Sequence, residues 1–223
     1  MRQLLIIGAG GLGRETAEVV RAINAQEPTW ALAGFLDDHP ERVGDAIDGV
    51  PVLGPVALAA GYPDAAIVVC TGNPRDSFSR RRIVERLDLP PSRYATLVHP
   101  AAAVPRSVQI GCGTVLLASV VATASVRVGA HSVVMPAVVL THDDVIGEYV
   151  TIGAGARLGG RVTVGDEAYI GAGALIREDC AVGAGALIGM GAVVLTKVPE
   201  REVWVGVPAR RLRAVTIPLV DRP

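Results

Sequence analysis

The 223-residue chain carries 21 basic and 22 acidic residues, a formal charge of −1 and no long run of one sign, so it lacks the electrostatic footprint of a nucleic-acid binder. Half of its residues are hydrophobic and mean hydropathy is +0.42, yet no stretch offers the roughly 18 unbroken apolar residues of a membrane-spanning helix. The apolar run before Gly8 is too short for a signal peptide, and Cys70, Cys112 and Cys180 lack metal-type spacing; reduced thiols in a cytoplasmic protein are the expectation.

The first part of the chain alternates strand-like and helix-like segments. Leu4 to Ile7 predicts a strand closed by a glycine cluster, and Gly13 to Ile23 a helix with Ala17, Val20 and Ile23 on one face. Ala31 to Leu36 reads as a second strand. The turn-rich segment between Asp45 and Pro63 holds a short strand, Val50 to Leu53, and one helical turn. Ile67 to Cys70 follows as a strand and Ser77 to Leu87 as a helix, with Ser77 as its N-cap. Alternation on this scale implies a small Rossmann-like parallel sheet covered by helices, over residues 1–97.

From Val98 the grammar changes. Steps of six from Val98 to Val194 meet seventeen positions, sixteen of them Ile, Leu or Val and the other Ala122. Glycine often follows, as at Gly147, Gly153, Gly159, Gly165 and Gly171, and a small residue stands four places on, as at Ala156, Ala168, Ala174 and Ala186. Neither a helix nor an alternating strand has a period of six. A solenoid does, when each hexad makes one flat face and three faces close a coil. Its aliphatic residue fills the interior, and the glycine is expected to permit the corner. The register never slips, so no long loop interrupts the repeat. An all-β parallel β-helix is therefore expected over residues 98–199, with a C-terminal tail over 200–223.

The repeat, the N-terminal Gly8-Ala9-Gly10-Gly11-Leu12-Gly13 and the C-terminal segment from Val205 to Leu212 together resemble the sialic acid O-acetyltransferase family of bacterial sugar acetyltransferases. That family includes N-acetyltransferases acting on nucleotide-linked 4-amino-4,6-dideoxy sugars. The resemblance spans roughly Leu4 to Leu212. It implies a left-handed β-helix, a homotrimer with active sites between subunits, acetyl-CoA as donor, no metal, and a nucleotide-linked amino sugar as acceptor, for glycan or surface polysaccharide synthesis.

The candidate catalytic residues lie in Thr141-His142-Asp143-Asp144. His142 is third in its hexad, where side chains point out of the coil. A neutral imidazole there can take a proton from an attacking amine or hydroxyl, and a neighbouring carboxylate can orient it. The resemblance assigns these roles to His142 and Asp143. Gly160 stands eighteen residues on, one full turn of the coil, about 4.8 Å along the axis. Its N–H is placed to meet a thioester oxygen as charge develops. Asp144 occupies an inward slot where a charge is costly unless paired. Either the coil bulges there or Asp144 helps to hold His142. His39 reads as part of a charged loop, His99 as the residue before Pro100 at the start of the coil, and His131 as outward-facing without an adjacent acid.

The glycine cluster fits G-x-G-x-x-G between a strand and a helix, a geometry that brings backbone N–H groups to a pyrophosphate. Asp37 and Asp38 follow the second strand, where a ribose-binding acid sits in an NAD site. Fewer than 100 residues precede the repeat, room for only half of a dinucleotide-binding domain. The resemblance instead implies a nucleotide sugar, with Gly10, Gly11 and Leu12 near the sugar phosphate and Asp37, Asp38 and Gly72 near the base. It places acetyl-CoA along Thr151, Gly160, Ala172 and Met190; by charge, Lys197, Arg210 and Arg211 are either partners of its phosphates or a solvated basic tail. Leu12 stands where the family commonly has His, and Met135-Pro136 where it often has Asn-Thr or Asn-Gly, so acceptor identity is open.

Three rival functions fit parts of the sequence. A β-helical carbonic anhydrase needs three imidazoles on zinc, and only His131 and His142 lie well inside the repeat. A non-catalytic nucleotide-sugar or NAD sensor on a trimeric scaffold is opposed by the His142-Asp143 pair. O-acetylation of a sialic-acid-type hydroxyl needs the same base as N-acetylation, and sequence does not separate them.

Overall fold

The computed structural model describes residues 1–73 and 76–216. The expected tail thus lies partly outside the described residues, from 217 on. The N-terminal unit comprises β1 (Arg2–Ile7), α1 (Gly11–Gln26), β2 (Trp30–Leu36), β3 (Ala46–Ile47), β4 (Val50–Gly54), β5 (Ala66–Val69) and α2 (Ser79–Leu87). Its sheet runs β3-β4-β2-β1-β5, parallel except for the β3–β4 hairpin. Central β1 is apolar and buried from Leu4 to Ile7, where both of its faces are covered. Leu4 and Ile6 pack with Ala17 and Val20 of α1 and with Leu97, Val115 and Val133 of the repeat. Leu5 and Ile7 face Val56 and Ala59 and the α2 side chains Ile83, Val84 and Leu87.

Helix α2 starts at Ser79, one residue later than a Ser77 cap predicts. Ser77 lies in a turn and Phe78 is the capping residue, without a side-chain cap. The Ser79 hydroxyl instead donates to Thr71 Oγ1 at 3.1 Å, and Asp76 is engaged by Arg82.

The repeat forms a left-handed parallel β-helix of two-residue strands. From Leu97–Val98 to Leu175–Ile176 each strand pairs in parallel with the one eighteen residues on: Val133↔Thr151, Val139↔Arg157 and Val145↔Thr163 represent the three faces. The second residue of each strand points inward, and Leu116, Val134, Ile152, Ile170 and Ile188 are fully buried in one continuous core. Each such side chain contributes about 1.5–3 kcal/mol by leaving water.

The corner glycines do something other than bend the chain. The left-handed conformation falls two residues later, at positions such as Ala137 (φ 60°), Asp143 (φ 64°) and Arg161 (φ 61°). At Gly153 a Cβ would lie 2.5 Å from the Ala172 amide nitrogen of the next coil. Glycine is needed there because successive corners stack backbone to backbone, and any side chain would hold the coils apart.

The segment expected as a tail carries two strands. Glu202–Val205 extends one face in parallel with Leu187–Ile188, and Arg210–Ala214 returns antiparallel to it. Arg211 donates to Glu202 at 2.7 Å and Arg210 to the Ala209 carbonyl, so both have protein partners.

The N-terminal unit covers one face of the coil, and its key contact is Arg80. This α2 side chain is 1% exposed and donates to the carbonyls of Thr71 (2.6 Å), His131 (2.9 Å), Tyr149 (2.8 Å) and Val150 (3.1 Å) and to Thr151 Oγ1 (2.7 Å). Burial pulls the guanidinium down to about 10, still cationic at neutral pH. His131 points out of the coil, as its hexad position implies, but not into solvent. It is buried beneath the same unit, edge-on to Tyr94 (centroids 4.6 Å apart) and stacked on Tyr149 (5.1 Å). Burial, then the nearby Arg80 charge, pushes the imidazole down to about 4, which keeps it neutral, and its Nδ1 has no partner among the described residues.

Candidate active site

His142 and Asp143 form one corner of the coil, and both side chains are about half exposed. The imidazole Nδ1 lies 2.9 Å from Asp143 Oδ2, so the carboxylate accepts the Nδ1 proton and leaves Nε2 as the basic nitrogen. Nε2 turns toward the next coil. The Arg161 N–H donates to the His142 carbonyl at 2.9 Å, fixing the stacking, and a Cβ added at Gly160 would overlap the ring, 2.5 Å from Cε1. The Gly160 N–H has no acceptor among the described residues, and neither do those of Ala154, Ala172 and Met190 at equivalent corner positions. A free N–H is therefore ordinary in this coil; its position above an imidazole is what singles Gly160 out.

Gly160→Ala should consequently displace the His142 ring while leaving the coil intact. We expect kcat to fall about a hundredfold, the scale of a 1 Å misplacement of a catalytic group, with little change in Tm. A kcat within threefold of the parent would show that the ring need not sit beneath Gly160.

Asp144 neither bulges the coil nor touches the imidazole. It is fully buried, and its two oxygens accept the N–H groups of Thr141 (2.8 Å) and Val162 (2.9 Å), tying its own coil to the next. The strand that follows keeps its register on both sides, with Val145 opposite Arg127 and Thr163. Burial raises this carboxyl to about 6 against the ordinary 3.8, although the two N–H donors and the His142 charge pull the other way. Between those values the native state binds more protons than the unfolded chain, so this group's contribution to stability falls as pH rises through that window. Denaturant titrations at pH 4.5 and 6.5 should show that decline in the parent and a smaller one in Asp144→Asn. Equal declines would refute the assignment.

The glycine loop and the acidic pair are brought together, but the acids are already engaged. The Asp37 side chain is 7% exposed and accepts from Ala9 N (2.8 Å), His39 N (3.0 Å), His39 Nδ1 (2.6 Å) and Arg42 (3.1 Å). Burial alone would raise Asp37; the Ala9, His39 and Arg42 contacts outweigh it and hold the carboxyl below its ordinary value. It ties the glycine loop to the loop after β2. Asp38 accepts from Val56 N (2.8 Å) and Arg86 (2.7 Å). Both carboxylates serve internal contacts, although the two residues still line a cleft with Gly8, His39 and Thr71. A Cβ at Gly10 or Gly11 would meet nothing within 4 Å, so the loop backbone is open to a ligand. Gly72 packs beside Leu12, with a Cβ there 3.1 Å from Leu12 Cδ2.

Of the expected coenzyme positions, Ala172 and Met190 stack on one corner, Gly191 N–H donating to Ala172 O at 2.9 Å, and Met190 is 80% exposed. Thr151 is a correction. It lies on the face beneath the N-terminal unit, buried, with its hydroxyl bonded by Arg80, and offers no surface to a coenzyme. Among the described residues, no group of three or more His, Cys, Asp or Glu side chains could hold a metal.

Residues 3–87 match the PglD N-terminal domain, and residues 145–178 and 161–196 match the bacterial transferase hexapeptide model of six repeats. The acetyltransferase domain of PglB from Neisseria gonorrhoeae FA1090 is 33% identical, over 95% of this chain and 100% of that one, with a TM-score of 0.85. This chain belongs to the bacterial hexapeptide transferases that carry a PglD N-terminal domain. The same PglB domain in complex with acetyl coenzyme A is 31% identical, with a TM-score of 0.83, over 95% of this chain and 99% of that one. UDP-N-acetylbacillosamine N-acetyltransferase of Bacillus subtilis (strain 168) is 33% identical over 120 residues, 53% of this chain. The match spans about half of that curated relative's length, 52%.

Proposed function

We propose that this hexapeptide transferase moves an acetyl group from acetyl-CoA to the amino group of a nucleotide-linked amino-deoxy sugar. The observation that carries the reading is the disposition of His142, held at Nδ1 by Asp143 and presenting Nε2 to Gly160, whose N–H has no acceptor among the described residues. The sugar amine attacks the thioester carbonyl carbon. His142 Nε2 accepts the amine proton, Asp143 stabilises the resulting imidazolium, and the Gly160 N–H donates to the oxyanion. As the carbon–sulfur bond breaks, the proton passes to the leaving thiolate. No acyl-enzyme is needed: Cys70 and Cys180 are buried, and burial pushes the Cys70 thiol up to about 12, far from a nucleophilic thiolate.

The nucleotide lies against Gly10 and Gly11, with Leu12 and Gly72 beside the sugar phosphate and the loop of Asp37 and Asp38 toward the base. Acetyl-CoA lies along the Ala172–Met190 corner. Because that corner differs from the one bearing His142, a homotrimer that brings the two corners of neighbouring copies together completes the site. The active form is therefore a trimer, working in the cytoplasm; among the described residues no helix is long and apolar enough to cross a membrane. The relatives' names support N-acetylation over the sialic acid O-acetyl alternative. Thiol release with acetyl-CoA across a panel of nucleotide-linked amino sugars and free sugars tests the reading. Binding of acetyl-CoA without turnover on any of them would sink the acceptor assignment.

A further inference from the structure

A second cleft, of about 200 Å³, lies between helix α1 and the coil, lined by Glu15, Glu18, Val19, His99, Leu117, Ala118 and Pro136. Its place is defined by the corner ladder. Ala137 N–H donates to Ala118 O, Gly155 N–H to Pro136 O, Gly173 N–H to Ala154 O and Gly191 N–H to Ala172 O, so Ala118, Pro136, Ala154, Ala172 and Met190 form one column. The cleft closes the lower end of the column along which we place the coenzyme. Its other wall is the helix that opens at Gly11, directly after the open glycine loop.

The lining has a definite chemistry. Val19, Leu117, Ala118 and Pro136 supply an apolar floor. Glu18 is paired with Arg21, whereas Glu15 has no hydrogen-bond or ion-pair partner among the described residues. His99 Nδ1 accepts the Ala101 N–H at 3.0 Å, so the ring proton resides on Nε2 and the imidazole offers a donor. One free carboxylate, one N–H donor and an apolar floor between them suit a deoxy pyranose that presents an amine or hydroxyl. The negative wall opposes a sugar bearing a carboxylate.

We propose that this cleft selects the acceptor sugar, with Glu15 accepting from its amine or hydroxyl groups and excluding acidic sugars such as uronic or sialic acids. This rests on the nucleotide-sugar reading above. Calorimetry with a nucleoside diphosphate, the matching nucleotide-linked amino-deoxy sugar and the matching nucleotide-linked uronic acid separates the two. Glu15→Gln should leave affinity for the free nucleotide unchanged and weaken the amino sugar about tenfold, the scale of a hydrogen bond to a charged group. It should also tighten the uronic acid. In steady state, KM for the acceptor should rise with KM for acetyl-CoA unmoved. Sugar binding that depends on Glu15 without acetyl transfer would overturn the transferase reading and leave the cleft standing. Acetyl transfer with an acceptor KM and sugar affinities indifferent to Glu15→Gln would overturn the cleft and leave the transferase standing.

Discussion

Replacing His142 by alanine is expected to lower kcat by about a thousandfold while leaving the fold and acetyl-CoA binding intact. The magnitude is that of a lost general base, which contributes roughly 10²–10⁴ in rate. The fold should survive because the side chain is about half exposed and its hydrogen bond is to an exposed carboxylate. Exposed pairs of this kind contribute little to stability. Asp143→Asn should cost less, since Nε2 remains in place and only the orienting charge is lost; a reduction between that of His142→Ala and the parent is the expected result. Single-turnover rates with saturating acetyl-CoA provide the measurement. Equal kcat for parent and His142→Ala would remove the imidazole from the mechanism altogether.

The largest expected loss of stability comes from Arg80. Four carbonyls and a hydroxyl converge on this guanidinium, from the strand end at Thr71 and from two successive coils at His131 and Tyr149 to Thr151. Methionine would fill much of the space but remove the donor from the Thr71, His131 and Tyr149 carbonyls and the Thr151 hydroxyl, while Val150 O keeps the Val133 N–H, at about 1–3 kcal/mol for each that finds no substitute. Allowing for relaxation, Arg80→Met should destabilise the protein by about 4 kcal/mol, read from denaturant midpoints. Arg80→Lys, which keeps the charge but not the fork, should fall between. A loss below about 1 kcal/mol for Arg80→Met would mean that apolar packing alone holds the N-terminal unit on the coil.

These two residues differ in how plainly the sequence announces them. His142 was legible because a period of six has one compact solution, and position within the hexad then says which side chains point out. Gly160 followed by adding eighteen. Arg80 was not legible: in Ser79-Arg80-Arg81-Arg82 it reads as one charge among three on a surface helix. Only contacts 51 to 71 residues away in sequence separate it from its neighbours. The burial of His131 and Thr151 is hidden for the same reason, since the hexad grammar is identical on all three faces and does not say which one the N-terminal unit covers. One signal was available. Outward positions on the covered face are Leu97, Val115, Val133, Thr151, Tyr169 and Leu187, against Gln109, Arg127, Val145, Thr163 and Ala181 on a second. Reading every third hexad would have marked the docking face by its lack of charge. The roles of Asp37 and Asp38 were hidden differently, because a carboxylate after a strand looks the same whether it awaits a ligand or holds its own loop.

The eighteen-residue register between His142 and Gly160 makes the address of the chemistry a matter of counting. A six-residue insertion anywhere between them would keep the coil wound and its core filled, yet rotate Gly160 to the next corner and leave the imidazole beneath a stranger. An insertion of eighteen beyond Gly160 would lengthen the coil by one level and disturb nothing below. The solenoid thus tolerates growth in whole turns beyond the site and forbids it in thirds wherever two levels must share a corner or a face, as His142 and Gly160 do and as His131 and Tyr149 do under Arg80.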